Sequence, residues 1–289
     1  MNAENPVLYG PDRPLNLSSD GSLRLVFIGA GSAFTKKFYQ NNLLVIKGQD
    51  HVLIDCGTRT PEALATLGLT VSDIRYYLIT HSHADHIGGL EEVMLVNRYM
   101  AKRKATMIAP APYRRLLWNK SLAGGAAYNE RHGGRLLRFE DLWDAIEPIP
   151  VPGADRQLCE ATVGSLKLAM FRTMHIPDSA PGWRSSAPSY GVVIDDRIAY
   201  TSDTRFDPGL ISFIEERYQP EAIFHDCQFF KGGVHASLDE LASLPPDVRE
   251  KTFLMHYGDA AEGQKDRIRE LGFAGLAPQW QALDFPCRK

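Results

Sequence analysis

Several features that mark large protein classes are scarce or missing in this chain. Its four cysteines, Cys56, Cys159, Cys227 and Cys287, are scattered and form no CxxC pair. That spacing argues against a disulfide framework and predicts reduced thiols in a cytoplasmic protein. No apolar run approaches the roughly 18 residues of a membrane span, so no membrane partner is expected. Residues 1–20 are polar and contain proline, with no apolar h-region, and read as no signal peptide. Charge of one sign is missing too: 32 Lys and Arg against 35 Asp and Glu leave a net −3. Nucleic-acid binders usually carry a basic footprint, so a nucleic-acid partner is not expected. The most basic stretch, residues 98–115, reads as a solvated helix face. Gly29-Ala30-Gly31-Ser32-Ala33 lacks the third glycine and the following helix of a dinucleotide fingerprint, which excludes that fold.

What remains is an ordinary globular composition, 44% apolar and 23% charged over 289 residues. A chain of that length buries a two-layer core without cross-links. Residues 1–22, rich in Asn, Pro, Ser and Asp, read as an N-terminal extension, and residues 23–289 as one domain. Strand hairpins alternate with helices along that domain and no linker divides it. The pattern fits an α/β fold with helices packed outside two stacked sheets. Strands are expected at 23–28, 42–47, 51–55, 74–79, 106–109, 136–139, 146–151, 166–173, 190–194, 197–201, 222–224 and 252–255. Helices are expected at 61–67 with Thr60 as N-cap, 90–100, 113–122, 209–218, from near Ser237, and 263–271.

The densest chemistry lies in Thr80-His81-Ser82-His83-Ala84-Asp85-His86-Ile87-Gly88-Gly89, on a strand-to-helix turn. In an extended segment His81 and His83 face one side, because strand side chains alternate. Asp85 and His86 then approach from a second direction. Imidazole suits zinc and carboxylate suits harder divalent ions, so the mixed set can hold two ions. Five apolar strands end near a polar, metal-capable residue: Asp55, His81, His175, Asp203 and His256. Strands that terminate this way along one edge build a single site. The irregular stretch 176–189, with three prolines and four serines, has the form of an active-site lid. Arg131, His132 and Arg135 read as a surface loop or, alternatively, as a contact to substrate phosphate. His51 and His132 read as surface residues, and Cys227 as a small buried side chain.

Taken in order, Asp55, the His81-His83-Asp85-His86 cluster, His175, Asp203 and His256 resemble the signature of the metallo-β-lactamase fold superfamily. The resemblance implies an αββα four-layer sandwich with two Zn2+ ions per subunit, or Mn2+ in their place. It implies that His81, His83 and His175 hold one ion, Asp85, His86 and His256 the other, and that Asp203 bridges them. Asp55 would steer the ligands from behind. β-Lactamases of the superfamily place a cysteine or serine where Asp203 stands, so β-lactam hydrolysis is not expected.

A narrower likeness follows. Gly29-Ala30-Gly31-Ser32-Ala33-Phe34 resembles the opening of ribonuclease Z. His225-Asp226 stands where that family has a His-Glu pair, and His235 stands where it has a leaving-group histidine. Trp118-Asn119-Lys120-Ser121-Leu122-Ala123-Gly124-Gly125, Pro188-Ser189-Tyr190-Gly191, Phe224-His225-Asp226-Cys227 and Gly233-Val234-His235-Ala236 resemble the anti-Pycsar proteins, phage and bacterial phosphodiesterases that destroy cyclic nucleotide signals. This implies hydrolysis of 3′,5′-cyclic nucleotides (cAMP, cGMP, cCMP, cUMP) to nucleoside monophosphates by a homodimer whose partner helps close each site. Asp85, His235 and Asp226 would be catalytic, with His235 protonating the departing ribose oxygen and Asp226 holding its imidazole. The alternative is a ribonuclease Z-type tRNA 3′-end endonuclease. The chain lacks that family's long Gly/Pro-rich arm, and its charge disfavours a large RNA.

Overall fold

Aliphatic and β-branched runs pair into two sheets in the computed structural model, which describes residues 7–287. The first sheet has seven strands in the order Ala282–Phe285, Leu23–Gly29, Asn42–Lys47, Asp50–Ile54, Tyr76–Leu78, Ala105–Ile108 and Trp143–Ile146. The second has eight: Gly275–Leu276, Thr252–Met255, Ala222–Asp226, Ile198–Tyr200, Tyr190–Ile194, Leu166–Arg172, Leu158–Val163 and Ile149–Pro150. Each sheet is antiparallel through its hairpins and parallel where helices make the crossovers.

The second sheet is buried on both faces. Along Leu166–Arg172, Leu168 and Met170 join the core between the sheets, while Ala169 and Phe171 join Leu210, Ile211 and Ile214 of the outer helix Pro208–Tyr218. Phe27 of the first sheet meets Phe224 of the second at 5.1 Å between ring centroids, so the sheets pack directly. Helices outside both sheets complete the expected αββα order.

Several elements differ locally from expectation. The strand at 74–79 shortens to Tyr76–Leu78. The α-helix expected over 90–100 ends at Val96 and continues as a π-helical turn, Asn97–Ala101, where Asn97 Nδ2 bonds the Val93 carbonyl at 2.9 Å. The helix at 113–122 divides likewise into Ala111–Leu117 and a π-helical Trp118–Leu122. Thr60 does not cap its helix; its hydroxyl bonds Asn42 instead. Ser237 does cap, in a reciprocal box with Glu240. His51 is buried rather than at the surface, with Nε2 accepting the Arg75 N–H at 3.2 Å. Arg131–His132 and Arg135–Leu136 form a small hairpin turned at Gly133 and Gly134, and Arg135 is engaged by Asp141. Residues 7–9 lie against the start of the last strand and the chain before it, with Ala282 N–H donating to Val7 and Tyr9 N–H to Trp280, while buried Leu15 donates its N–H to Leu67. Residues 1–6 of the expected extension lie outside the described residues.

Candidate metal centre

Parallel strands within a sheet share the edge at which they end. Asp50–Ile54 and Tyr76–Leu78 run on to Asp55 and His81, while Ile198–Tyr200 and Thr252–Met255 run on to Asp203 and His256. Ala222–Asp226 ends on Asp226 itself. The two sheets thereby deliver their polar termini to one place. Three non-glycine residues at these ends, Asp55, Ser202 and His256, have φ of 65°, 53° and 57°. Such left-handed conformations are costly for non-glycine residues and cluster at functional sites.

The motif loop is held from behind by residues 55–58. Cys56 N–H donates to the His86 carbonyl at 2.7 Å, and Gly89 N–H returns a bond to Cys56 at 2.9 Å. Gly57 is required here, since a Cβ would stand 2.1 Å from the Asp85 carbonyl oxygen. Asp55 is fully buried and accepts from Thr80 N–H at 2.8 Å, from the Thr80 hydroxyl at 2.7 Å and from His86 Nδ1 at 2.7 Å. Ser202 Oγ in turn donates to Thr80 Oγ1 at 2.9 Å. Thr80 and Ser202 were not apparent as site residues; the available signal was a hydroxyl immediately beside a candidate ligand.

Three groups of donor atoms result, each with its atoms within 4.8 Å of one another; the third, Asp203, Asp226, His235 and His256, adjoins the two built on the histidine motif. In the first, His83 Nδ1 lies 3.1 Å from both His81 Nε2 and His175 Nε2. In the second, Asp85 Oδ2 lies 3.3 Å from His86 Nε2 and 3.2 Å from His256 Nε2. Asp203 belongs to all three. Its Oδ2 is 3.6 Å from His81, 3.7 Å from His175, 3.3 Å from His86 and 3.4 Å from His256, always to Nε2. Yet neither Asp203 oxygen, nor His86 Nε2, makes a hydrogen bond, although all three are buried. Buried polar atoms are rarely left so. Ligands of a tetrahedral zinc at about 2.0–2.1 Å sit roughly 3.3 Å apart, close to these spacings. The donors present therefore fit two divalent cations.

Burial pushes His81 well below its ordinary pKa and His175 down to about 4, leaving in the first group the neutral imidazoles that metals bind. In the second group burial is outweighed by Asp203 and the neighbouring carboxylates, which hold His86 well above its ordinary pKa and His256 at about 10, so a cation binding there would displace protons. Burial would raise the Asp85 carboxyl, but His86 and His256 hold it far below the usual carboxylate range. Outer contacts fix the ring orientations: His175 Nδ1 is 2.9 Å from the Val234 carbonyl, and His256 Nδ1 is 3.4 Å from Asp226 Oδ1.

Beside the centre, His235 Nδ1 lies 2.7 Å from Asp226 Oδ2 and 4.0 Å from Asp203 Oδ2. Thr204 N–H steadies the same Asp226 oxygen at 3.0 Å. Burial lowers the His235 pKa, but Asp226 and Asp203 outweigh it and leave it above its ordinary value. His225 is buried with its Nδ1 2.7 Å from the Asp226 carbonyl, and it belongs to none of the donor groups. His132 is exposed and takes no part.

The fold is that of the metallo-β-lactamase fold proteins. The Bacillus subtilis protein YhfI, described as a metallo-beta-lactamase fold protein, superposes with a TM-score of 0.66 at 14% identity, covering 92% of this chain and all of YhfI. The short form of human tRNase Z (ELAC1) gives 0.60 at 17% identity, covering 91% of this chain and all of that one. Within that class the chain belongs to the family described as "Anti-Pycsar protein Apyc1", which matches residues 23–283. The anti-Pycsar protein Apyc1 of Bacillus phage vB_BsuM-Goe3 is 39% identical over 261 residues, spanning 85% of this chain and 94% of the phage protein. That of Paenibacillus harenae is 36% identical over 246 residues, spanning 85% and 94%. Among the described residues, no helix is long and apolar enough to cross a membrane.

Proposed function

We propose that this protein is a metal-dependent phosphodiesterase that opens 3′,5′-cyclic nucleotides (cAMP, cGMP, cCMP and cUMP) to nucleoside monophosphates, and so degrades a cyclic nucleotide signal in the cytoplasm as a homodimer. The observation that carries it is one buried carboxylate, Asp203, shared by the two donor groups built on the histidine motif in a chain of the anti-Pycsar family. His81, His83 and His175 would hold one Zn2+ or Mn2+, and Asp85, His86 and His256 a second, with Asp203 between them. Bound there, the ions supply Lewis-acid activation of the phosphoryl group and of water.

The chain's own residues do the rest. Asp55 keeps His86 in the tautomer whose Nε2 faces the centre. His235 gives its Nδ1 proton's hydrogen bond to Asp226, which leaves Nε2 as the proton donor for the departing ribose oxygen. The raised pKa of His235 supports the protonated form this role needs. Burial of the surrounding strand ends excludes bulk water and strengthens these contacts.

The test is to incubate zinc-loaded protein with each of the four cyclic nucleotides and resolve the products. Conversion to mononucleotides, abolished by a chelator and by Asp85→Ala, is expected. Four intact substrates beside cleaved precursor tRNA would replace this reading with the tRNA 3′-end endonuclease.

A further inference from the structure

Of the thirteen phenylalanines, Phe34 and Phe230 are the two with largely exposed rings, at 87% and 68%. Both stand on loops hydrogen-bonded to the candidate donors or to the residue beside one: the first to Tyr257, next to His256, and the second to His175. The loop of Phe34 is bonded to the chain just after the ligand His256: Ser32 N–H donates to the Tyr257 carbonyl at 2.9 Å. Phe34 follows two residues later, within about 7 Å of that junction at the maximum reach of the chain. Phe230 lies between Asp226 and His235, on the loop whose Val234 carbonyl holds the ligand His175.

An exposed aromatic on a slack loop would mean little, but this loop is fastened. Asp259 accepts from Lys36 N–H at 3.0 Å, from Lys37 N–H at 2.9 Å and from the Thr35 hydroxyl. Gly31 N–H bonds Tyr39 at 2.9 Å, and the Phe38 ring packs edge-on against Tyr257 at 5.0 Å. Phe38 is therefore turned inward as the anchor, while Phe34 is held outward. A single exposed ring is common on protein surfaces; what distinguishes Phe34 is the rigid support, joined to the chain next to His256, which pre-organises the ring for contact with a ligand.

We infer that Phe34 is the base-binding surface of the enzyme, stacking on the nucleobase while the phosphodiester lies at the Asp203 centre, with Phe230 adding apolar contact from the His235 loop. This rests on the reaction proposed above and adds how the base is bound. Stacking uses the π-face that every base has, so it favours binding without selecting one base, and it favours purines by their larger area.

The experiment measures KM and kcat for cAMP and cUMP with the zinc-loaded homogeneous enzyme and with Phe34→Ala, Phe34→Trp and Phe230→Ala, alongside elution volume on gel filtration. Both rings are exposed, so the variants keep the fold. Phe34→Ala is expected to raise KM about 5- to 100-fold, more for cAMP than for cUMP, with kcat largely kept. Phe34→Trp restores the low KM. An unchanged KM in Phe34→Ala overturns the inference, and so does a KM change accompanied by loss of the dimer, which would assign the ring to a second copy of the chain. If the parent enzyme turns over neither nucleotide, the failure lies in the proposed reaction, and the base-binding role falls with it.

Discussion

His86 Nδ1 lies 2.7 Å from the buried carboxylate of Asp55, and this one contact decides that Nε2 of His86 faces Asp85 and Asp203. Asp55 offers no atom to the donor groups, so its effect is on the orientation and basicity of a ligand.

Asp55→Asn tests that relationship. Asparagine tolerates the positive φ of 65° found at this position, so the change removes charge without adding backbone strain. Affinity for zinc is expected to fall about 10- to 100-fold, read by competition with a chromogenic chelator. Unchanged affinity would show that Thr80 and the packing of the loop suffice to orient His86.

His235 shares a donor group with Asp203, Asp226 and His256, so its proposed role as proton donor must be tested apart from metal binding. His235→Ala is expected to lower kcat for cAMP by about 10²- to 10⁴-fold. The loss should be far smaller for bis(p-nitrophenyl) phosphate, whose leaving group departs without a proton. Asp226→Asn should follow the same pattern in weaker form. Equal losses on both substrates would assign His235 to metal or substrate binding instead.

His51 carries a pH-dependent term in stability. Burial, reinforced by Arg75, holds its pKa below the ordinary 6.5, so the folded protein keeps the ring neutral where the unfolded chain takes up a proton. The unfolded state then binds more protons, and stability falls as pH drops below about 6.5, by at most about 1.4 kcal/mol per pH unit. Between pH 7.5 and 5.5 the parent should lose about 2–4 °C more in thermal midpoint than His51→Gln. Parallel curves for the two proteins would show that His51 does not contribute.

Much of the candidate site was legible in the residues because its donor groups are polar side chains placed where apolar strands stop. The histidine motif, His175, Asp203 and His256 all follow that rule, and the structure brings them within one cluster. His51 escaped it: its neighbours in sequence are those of a hairpin turn, and its burial comes from the packing of residues near Arg75. Thr60 and the two helices that pass into π-helical turns escaped it as well, since a competing partner such as Asn42 is distant in sequence.

The sequence by itself determined the class of fold, the order of the candidate metal donors and the chemistry they suit, because those depend on residue type and on local period. Only the tertiary structure decided the distances at which Asp203 meets both sets of histidines, that Asp226 reaches His256 as well as His235, and that Phe34 points outward while Phe38 anchors the loop. Those relations join residues from separate strands and loops. They are set by sheet register and packing, which no short stretch of chain contains.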